Sequence, residues 1–239
     1  MRIEIWSDVV CPWCYVGKRR LERALDGFEH ADEVEVVYRS FELDPSAPRH
    51  GHELATGVIA RRYGRTEAEM RESQQQLIDL GAGEGLAMRL LENVHTNTVD
   101  AHRLLHLALA EGGPAQQREL KEALLAAYFL RAEDVGDHEV LRSAALSVGL
   151  DAGRVDEVLA GDEYGDAVAA DVAQARAYGA TGVPFFVVDE RYGVSGAQPT
   201  EVFEQVLARA WADRTPTIQV VGDTAEVCGP DGCEVPASS

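Results

Sequence analysis

Apolar and polar residues alternate at the N-terminus, Ile3 and Ile5 against Glu4, which predicts a strand over residues 2–7. From 12 to 28 the spacing turns helical, with Tyr15, Leu21 and Leu25 on one face. Val34 to Phe41 is rich in β-branched and aromatic residues and reads as a second strand, closed by the Asp44-Pro-Ser-Ala-Pro48 loop. A strand, a helix and a strand in that order require a parallel pair joined by a right-handed crossover.

Between about 52 and 178 the pattern is helical almost throughout, enough for four to six helices. Thr66-Glu-Ala-Glu69 has the form of a capping box. Gly113-Pro114 opens a further helix, because a proline at the first helical position loses no hydrogen bond. Asn97 and Asp137 are N-cap candidates. Strand character returns in Phe185–Asp189 and Gly193–Ser195, which bracket a turn, and Pro199 starts an amphipathic helix through Trp211. Ile218–Val221 and Thr224–Val227, separated by Gly222-Asp223, predict a second hairpin. The fold class is therefore α/β: βαβ and ββα halves of one unit, residues 1–50 and 179–239 with a tail at 213–239, enclosing a helical insertion at 51–178.

The 22 basic and 41 acidic residues leave a net charge of −19, which repels phosphate backbones and anionic lipid. The N-terminus lacks an apolar run of signal-peptide length, and no stretch reaches the 18 or so apolar residues of a membrane span. These features set an expectation of a cytoplasmic protein without nucleic-acid or membrane partners, a monomer or a homodimer. Its four cysteines fall in two close pairs, Cys11/Cys14 and Cys228/Cys233. In a reducing compartment such pairs serve catalysis or metal binding more often than stapling.

Cys11-Pro12-Trp13-Cys14 follows a strand and opens a helix. Pro12 suits the first helical position and puts Cys11 at the N-cap, where unpaired N–H groups and the helix dipole favour a thiolate. Cys11 is thus expected to have a lowered pKa and to attack, with Cys14 one turn on resolving the mixed disulfide. Pro12 and Trp13, between the two sulfurs, are candidate substrate-binding residues. Cys228-Gly-Pro-Asp-Gly-Cys233 brings two sulfurs round a tight loop. A stapling disulfide, a second redox pair and a thiolate zinc site all remain open for it. His102 and His106 share a helical face, but Arg103 stands where a metalloprotease motif needs glutamate, so no metal is assigned.

The dithiol that opens a βαβ unit, Thr181-Gly-Val-Pro184 before a strand, and the helical block between them resemble the DsbA-like branch of the thioredoxin superfamily. Ser7-Asp8, Asn97-Thr-Val-Asp-Ala-His102-Arg103 and Val194-Ser-Gly-Ala-Gln-Pro199 narrow the resemblance to its FrnE-like cytoplasmic members. The resemblance implies a cis Val183-Pro184 bond beside Cys11, a backbone there that pairs with an extended substrate, and Asn97, Thr98 and His102 bordering the groove. Relatives with serine at the first position are glutathione-dependent 2-hydroxychromene-2-carboxylate isomerases or kappa-class transferases; Cys11 departs from them and favours dithiol exchange. The function expected is a thiol–disulfide oxidoreductase acting on protein or small-thiol substrates, with no required cofactor and with glutathione as a redox partner. A glutathione-dependent isomerase or transferase and a non-catalytic, chaperone-like module are the alternatives. Trp13 supplies no positive charge and Asp8 opposes a thiolate, which places the expected potential between about −120 mV for DsbA and about −270 mV for thioredoxin.

Overall fold

The computed structural model describes residues 1–214 and the strand pair Cys228–Gly229 and Gly232–Cys233. The predicted hairpin over 218–227 lies outside the described residues. Four strands, β1 (Arg2–Ser7), β2 (Glu35–Ser40), β3 (Phe185–Val188) and β4 (Tyr192–Ser195), form one sheet in the order β2-β1-β3-β4. β1 and β2 run parallel with Ile5 opposite Tyr38, and β3 joins β1 antiparallel with Ile5 opposite Phe186. β4 completes the β3 hairpin. The crossover between β1 and β2 is α1 (Pro12–Asp26).

One face of the sheet is covered by α1 and by α8 (Thr200–Ala212). Ile3, Ile5, Val36 and Phe186 meet Leu21 and Ala24 of α1 and Phe203, Leu207 and Ala210 of α8. The other face is covered by the insertion, which comprises α2 (Ala55–Arg62), α3 (Glu67–Gly83), α4 (Val99–Arg131), α5 (His138–Ser147), α6 (Ala152–Ala160) and α7 (Gly165–Ala177). This second cover buries Glu4, the one polar residue of the β1 alternation, and its carboxylate is neutralised by Arg39 at 2.8 Å. Val9, just before α1, and Tyr15 and Val16 from its first turns join the insertion's core beside Leu104, Leu120 and Leu124 of α4.

The predicted caps form as follows. Thr66 and Glu69 close a reciprocal box, and Asp137 accepts from Glu139 N at 2.8 Å. α4 is broken at Gly113, whose φ of 71° is left-handed backbone, and Pro114 restarts it. Asn97 is corrected from an N-cap to the residue before it. Thr98 holds the cap position, while Asn97 Oδ1 accepts from Val99 N and its Nδ2 donates to Pro45 O, tying the 44–48 loop to α4.

Gly17 fixes how closely α1 approaches the loop before β3. A Cβ there would lie 3.1 Å from Pro184 Cγ and 3.2 Å from Phe186 Cζ. Gly17→Val adds two further carbons to that contact, and overpacking of this kind costs about 1–3 kcal/mol. The expected result is a Tm lower by roughly 3–10 °C in a thermal melt, together with slower reaction at the adjoining dithiol.

Candidate active site

Pro12 begins α1 and Cys11 is its N-cap, as the sequence predicts. The Val183-Pro184 bond is cis and stands beside the dithiol: Cys11 Sγ lies 3.6 Å from Val183 O. The loop that presents it is braced by the Val194–Pro199 segment. Gly196, at φ 79°, donates its N–H to Pro184 O at 2.8 Å, and Arg20 of α1 holds Ala197 O at 2.7 Å. That segment served only to assign a subgroup in the sequence; in the structure it fixes the proline loop.

Both thiols are free and nearly buried, yet they face different surroundings. Cys11, with Pro12, Trp13 and Thr181–Val183, lines a groove of about 710 Å³ walled by α2 and α3; Cys14 is not among its lining residues. Trp13 is 42% exposed at its mouth. Behind Cys14 is Lys121 of α4, fully buried, with Nζ 3.2 Å from Ser7 O and 5.5 Å from the centre of the Tyr38 ring. Burial pushes the Lys121 amine down to about 8 against the opposing pull of Cys14 and Asp8.

The sulfurs share a proton, and the structure corrects which of them is favoured as thiolate in the resting pair. Cys11 is raised well above the ordinary thiol range, first by donating to Cys14 and then by burial, with Asp8 adding to the effect. Among the described residues it makes no side-chain capping bond, and its sulfur lies 3.6 Å from the Val183 carbonyl. Cys14 is lowered: burial opposes its charge, but the hydrogen bond from Cys11 and the Lys121 charge outweigh that cost. Reduced-state stability from this ionisation is therefore present above the ordinary thiol pKa and fades as pH falls through the pair's own first value.

Asp8 is fully buried. Desolvation alone would raise its pKa, but His102 Nε2 at 3.3 Å and the Leu43 N–H at 2.8 Å hold the carboxyl below its usual range. His102 thus sits under the dithiol through Asp8 rather than at the groove. Asn97 and Thr98 likewise serve the α4 start and are not among the groove's lining residues. His106 turns elsewhere, to Ser40 Oγ and Asp171 Oδ2, each at 3.1 Å. Cys228 and Cys233 are opposed in antiparallel register in the short strand pair. Lys121 and Asn93 were not singled out in the sequence. A signal for Lys121 existed: it falls in register with the buried stripe Gln117, Leu120, Leu124, Leu125 and Tyr128.

A dithiol at the head of a helix, faced by a cis-proline loop from an antiparallel neighbour strand, defines a thioredoxin fold, here with a large helical insertion. Residues 2–208 match the DSBA-like thioredoxin domain, and the chain belongs to that family. It is similar to the crystal structure of a probable DsbA oxidoreductase from Streptomyces coelicolor, with 47% identity, a TM-score of 0.85, and 99% of this chain and 100% of that one covered. It is also similar to the solved structure of the cytosolic disulfide reductase DsbM from Pseudomonas aeruginosa with GSH, at 15% identity and a TM-score of 0.61 over 89% of this chain and 100% of that one. A sequence relative is the uncharacterized protein YwbO of Bacillus subtilis, 25% identical over 87% of this chain and 96% of its own length. Among the described residues no helix is long and apolar enough to cross a membrane.

Proposed function

We propose that this protein is a FrnE-like, cytoplasmic thiol–disulfide oxidoreductase whose Cys11-Pro-Trp-Cys14 dithiol exchanges with disulfides of other molecules. The observation that carries the reading is the asymmetry of the pair: Cys11 opens on the groove beside the cis Val183-Pro184 loop, while Cys14 is held behind it against Lys121. Moving the shared proton to Cys14 makes Cys11 the thiolate that attacks a substrate sulfur. The substrate S–S bond breaks, one substrate thiolate leaves, and a mixed disulfide forms on Cys11. Cys14, losing the proton with help from the Lys121 charge, then attacks Cys11 Sγ and releases the second substrate thiolate. The substrate gains two electrons, and the enzyme is left with a Cys11–Cys14 disulfide. The Thr181–Val183 backbone, exposed to the groove, positions the substrate chain. No organic cofactor or metal enters these steps, and a thiol reductant closes the cycle.

The test is insulin-disulfide reduction driven by dithiothreitol. Wild type is expected to shorten the lag before the B chain precipitates, and single-turnover samples should show Cys11 and Cys14 oxidised one-for-one with substrate. Failure of any disulfide to oxidise the reduced pair would overturn the reading.

A further inference from the structure

The groove beside Cys11 has a chemistry of its own. Its wall is built by Ile59 of α2 and Met70 and Leu77 of α3, and its floor by Leu90 and Phe129. Among the described residues none of its lining side chains is charged. The apolar surface continues outward through Trp13, Leu43 and Tyr63, each exposed at the rim. At about 710 Å³ it has room for several side chains rather than one.

One polar group stands out within it. Asn93, which lines the groove, is 2% exposed and donates through Nδ2 to Tyr128 O, which fixes the orientation of the amide. That leaves Asn93 Oδ1 buried without a hydrogen-bond partner among the described residues. A buried acceptor left unpaired is costly, and a ligand N–H or O–H arriving at this point would satisfy it.

Resting on the dithiol reading above, we propose that the groove takes uncharged, apolar peptide segments beside the substrate's disulfide, with a donor-bearing aromatic side chain meeting Asn93 Oδ1, and that it disfavours glutathione. Glutathione carries two carboxylates. In this groove they would meet no cationic side chain, on a chain whose net charge is −19. Desolvating an unpaired carboxylate opposes binding, whereas Leu, Phe or Trp side chains gain by leaving water. Glutathione, expected from the sequence as a redox partner, is thereby a slow one.

Single-turnover oxidation of the reduced, full-length protein tests this without a recycling thiol. The oxidants are the homodisulfide of an acetylated, amidated Leu-Trp-Cys-Leu peptide, the same peptide with naphthylalanine in place of tryptophan, and glutathione disulfide. Each rate constant is read from acid-quenched, alkylated protein by mass spectrometry and divided by that oxidant's rate with free dithiothreitol. The tryptophan peptide is expected to react at least about tenfold faster than glutathione disulfide, and roughly three- to tenfold faster than the naphthylalanine peptide, which lacks the donor. Gln76→Arg, at an exposed lining position of α3, is expected to raise the glutathione rate several-fold. Glutathione disulfide reacting as fast as the tryptophan peptide, or an unchanged rate in Gln76→Arg, would overturn the charge argument. Equal rates for the two peptides would remove Asn93 from it. If no disulfide oxidises the pair, the dithiol reading itself fails instead.

Discussion

Cys11→Ser is expected to lower insulin-disulfide turnover by roughly a thousandfold or more, to the level of dithiothreitol alone. The size follows from the geometry. Of the two sulfurs only Cys11 is among the groove-lining residues, and a serine hydroxyl there forms neither a thiolate nor a mixed disulfide at neutral pH. Cys14→Ser is expected to fail differently. Cys11 still reaches substrate, so the protein should accumulate as a mixed disulfide, visible as a mass increase that reducing agent removes. Activity that persists in Cys11→Ser would refute the assignment. Activity toward a small electrophile or chromene surviving in Cys14→Ser would instead place the chain with the serine-bearing isomerases and transferases.

Lys121→Met is expected to make the dithiol a stronger reductant. The Lys121 charge lowers the Cys14 ionisation and so stabilises the reduced protein. Removing it returns the thiol toward its ordinary range and lowers the reduction potential, by about 30 mV for each 1.4 kcal/mol of thiolate stabilisation lost. Methionine fills similar volume, and replacing a buried charge by an apolar group of that size is often neutral for folding. The oxidised form should therefore keep its Tm while the reduced form loses some. The sign with pH is also fixed. The amine is charged below its value of about 8 and neutral above it, so the gap in potential between wild type and variant should be widest below pH 8 and close above it. A dithiothreitol redox titration across pH 6.5–9.5 measures this. A potential that stays put or rises would reduce Lys121 to a packing residue.

How much of this was legible in the sequence depends on how far each feature reaches along the chain. β1, α1 and β2 are local, and their spacing and proline placement suffice to predict them. Cys11 at the N-cap was legible for the same reason. Its preference for thiol over thiolate was not, because that depends on how the fold buries the pair and turns the Cys11 proton toward Cys14, with Asp8 adding to the effect. The cis bond came from resemblance, since Thr181-Gly-Val-Pro184 by itself does not specify an isomer. Asn97 and His102 were recognised as a motif but misplaced: their roles depend on Pro45 and Asp8, partners brought in by the fold. Lys121 hid in an apolar stripe, where a lysine reads as a surface residue until the stripe is seen to be buried all round. The groove was invisible because α2 and α3 look like ordinary amphipathic helices; among the described residues their apolar faces are only partly covered.

The break at Gly113 divides α4 into two rods, and each rod sends one residue under the dithiol: His102 from the first, Lys121 from the second. The Lys121 charge that acts on Cys14, and the histidine that holds Asp8, both come from outside the thioredoxin core. Relatives that share the core but angle those rods differently would carry the same four-residue motif at another voltage. On the dithiol reading, the insertion contributes to the redox set point through Lys121, alongside what the sulfur pair and Asp8 contribute from the core.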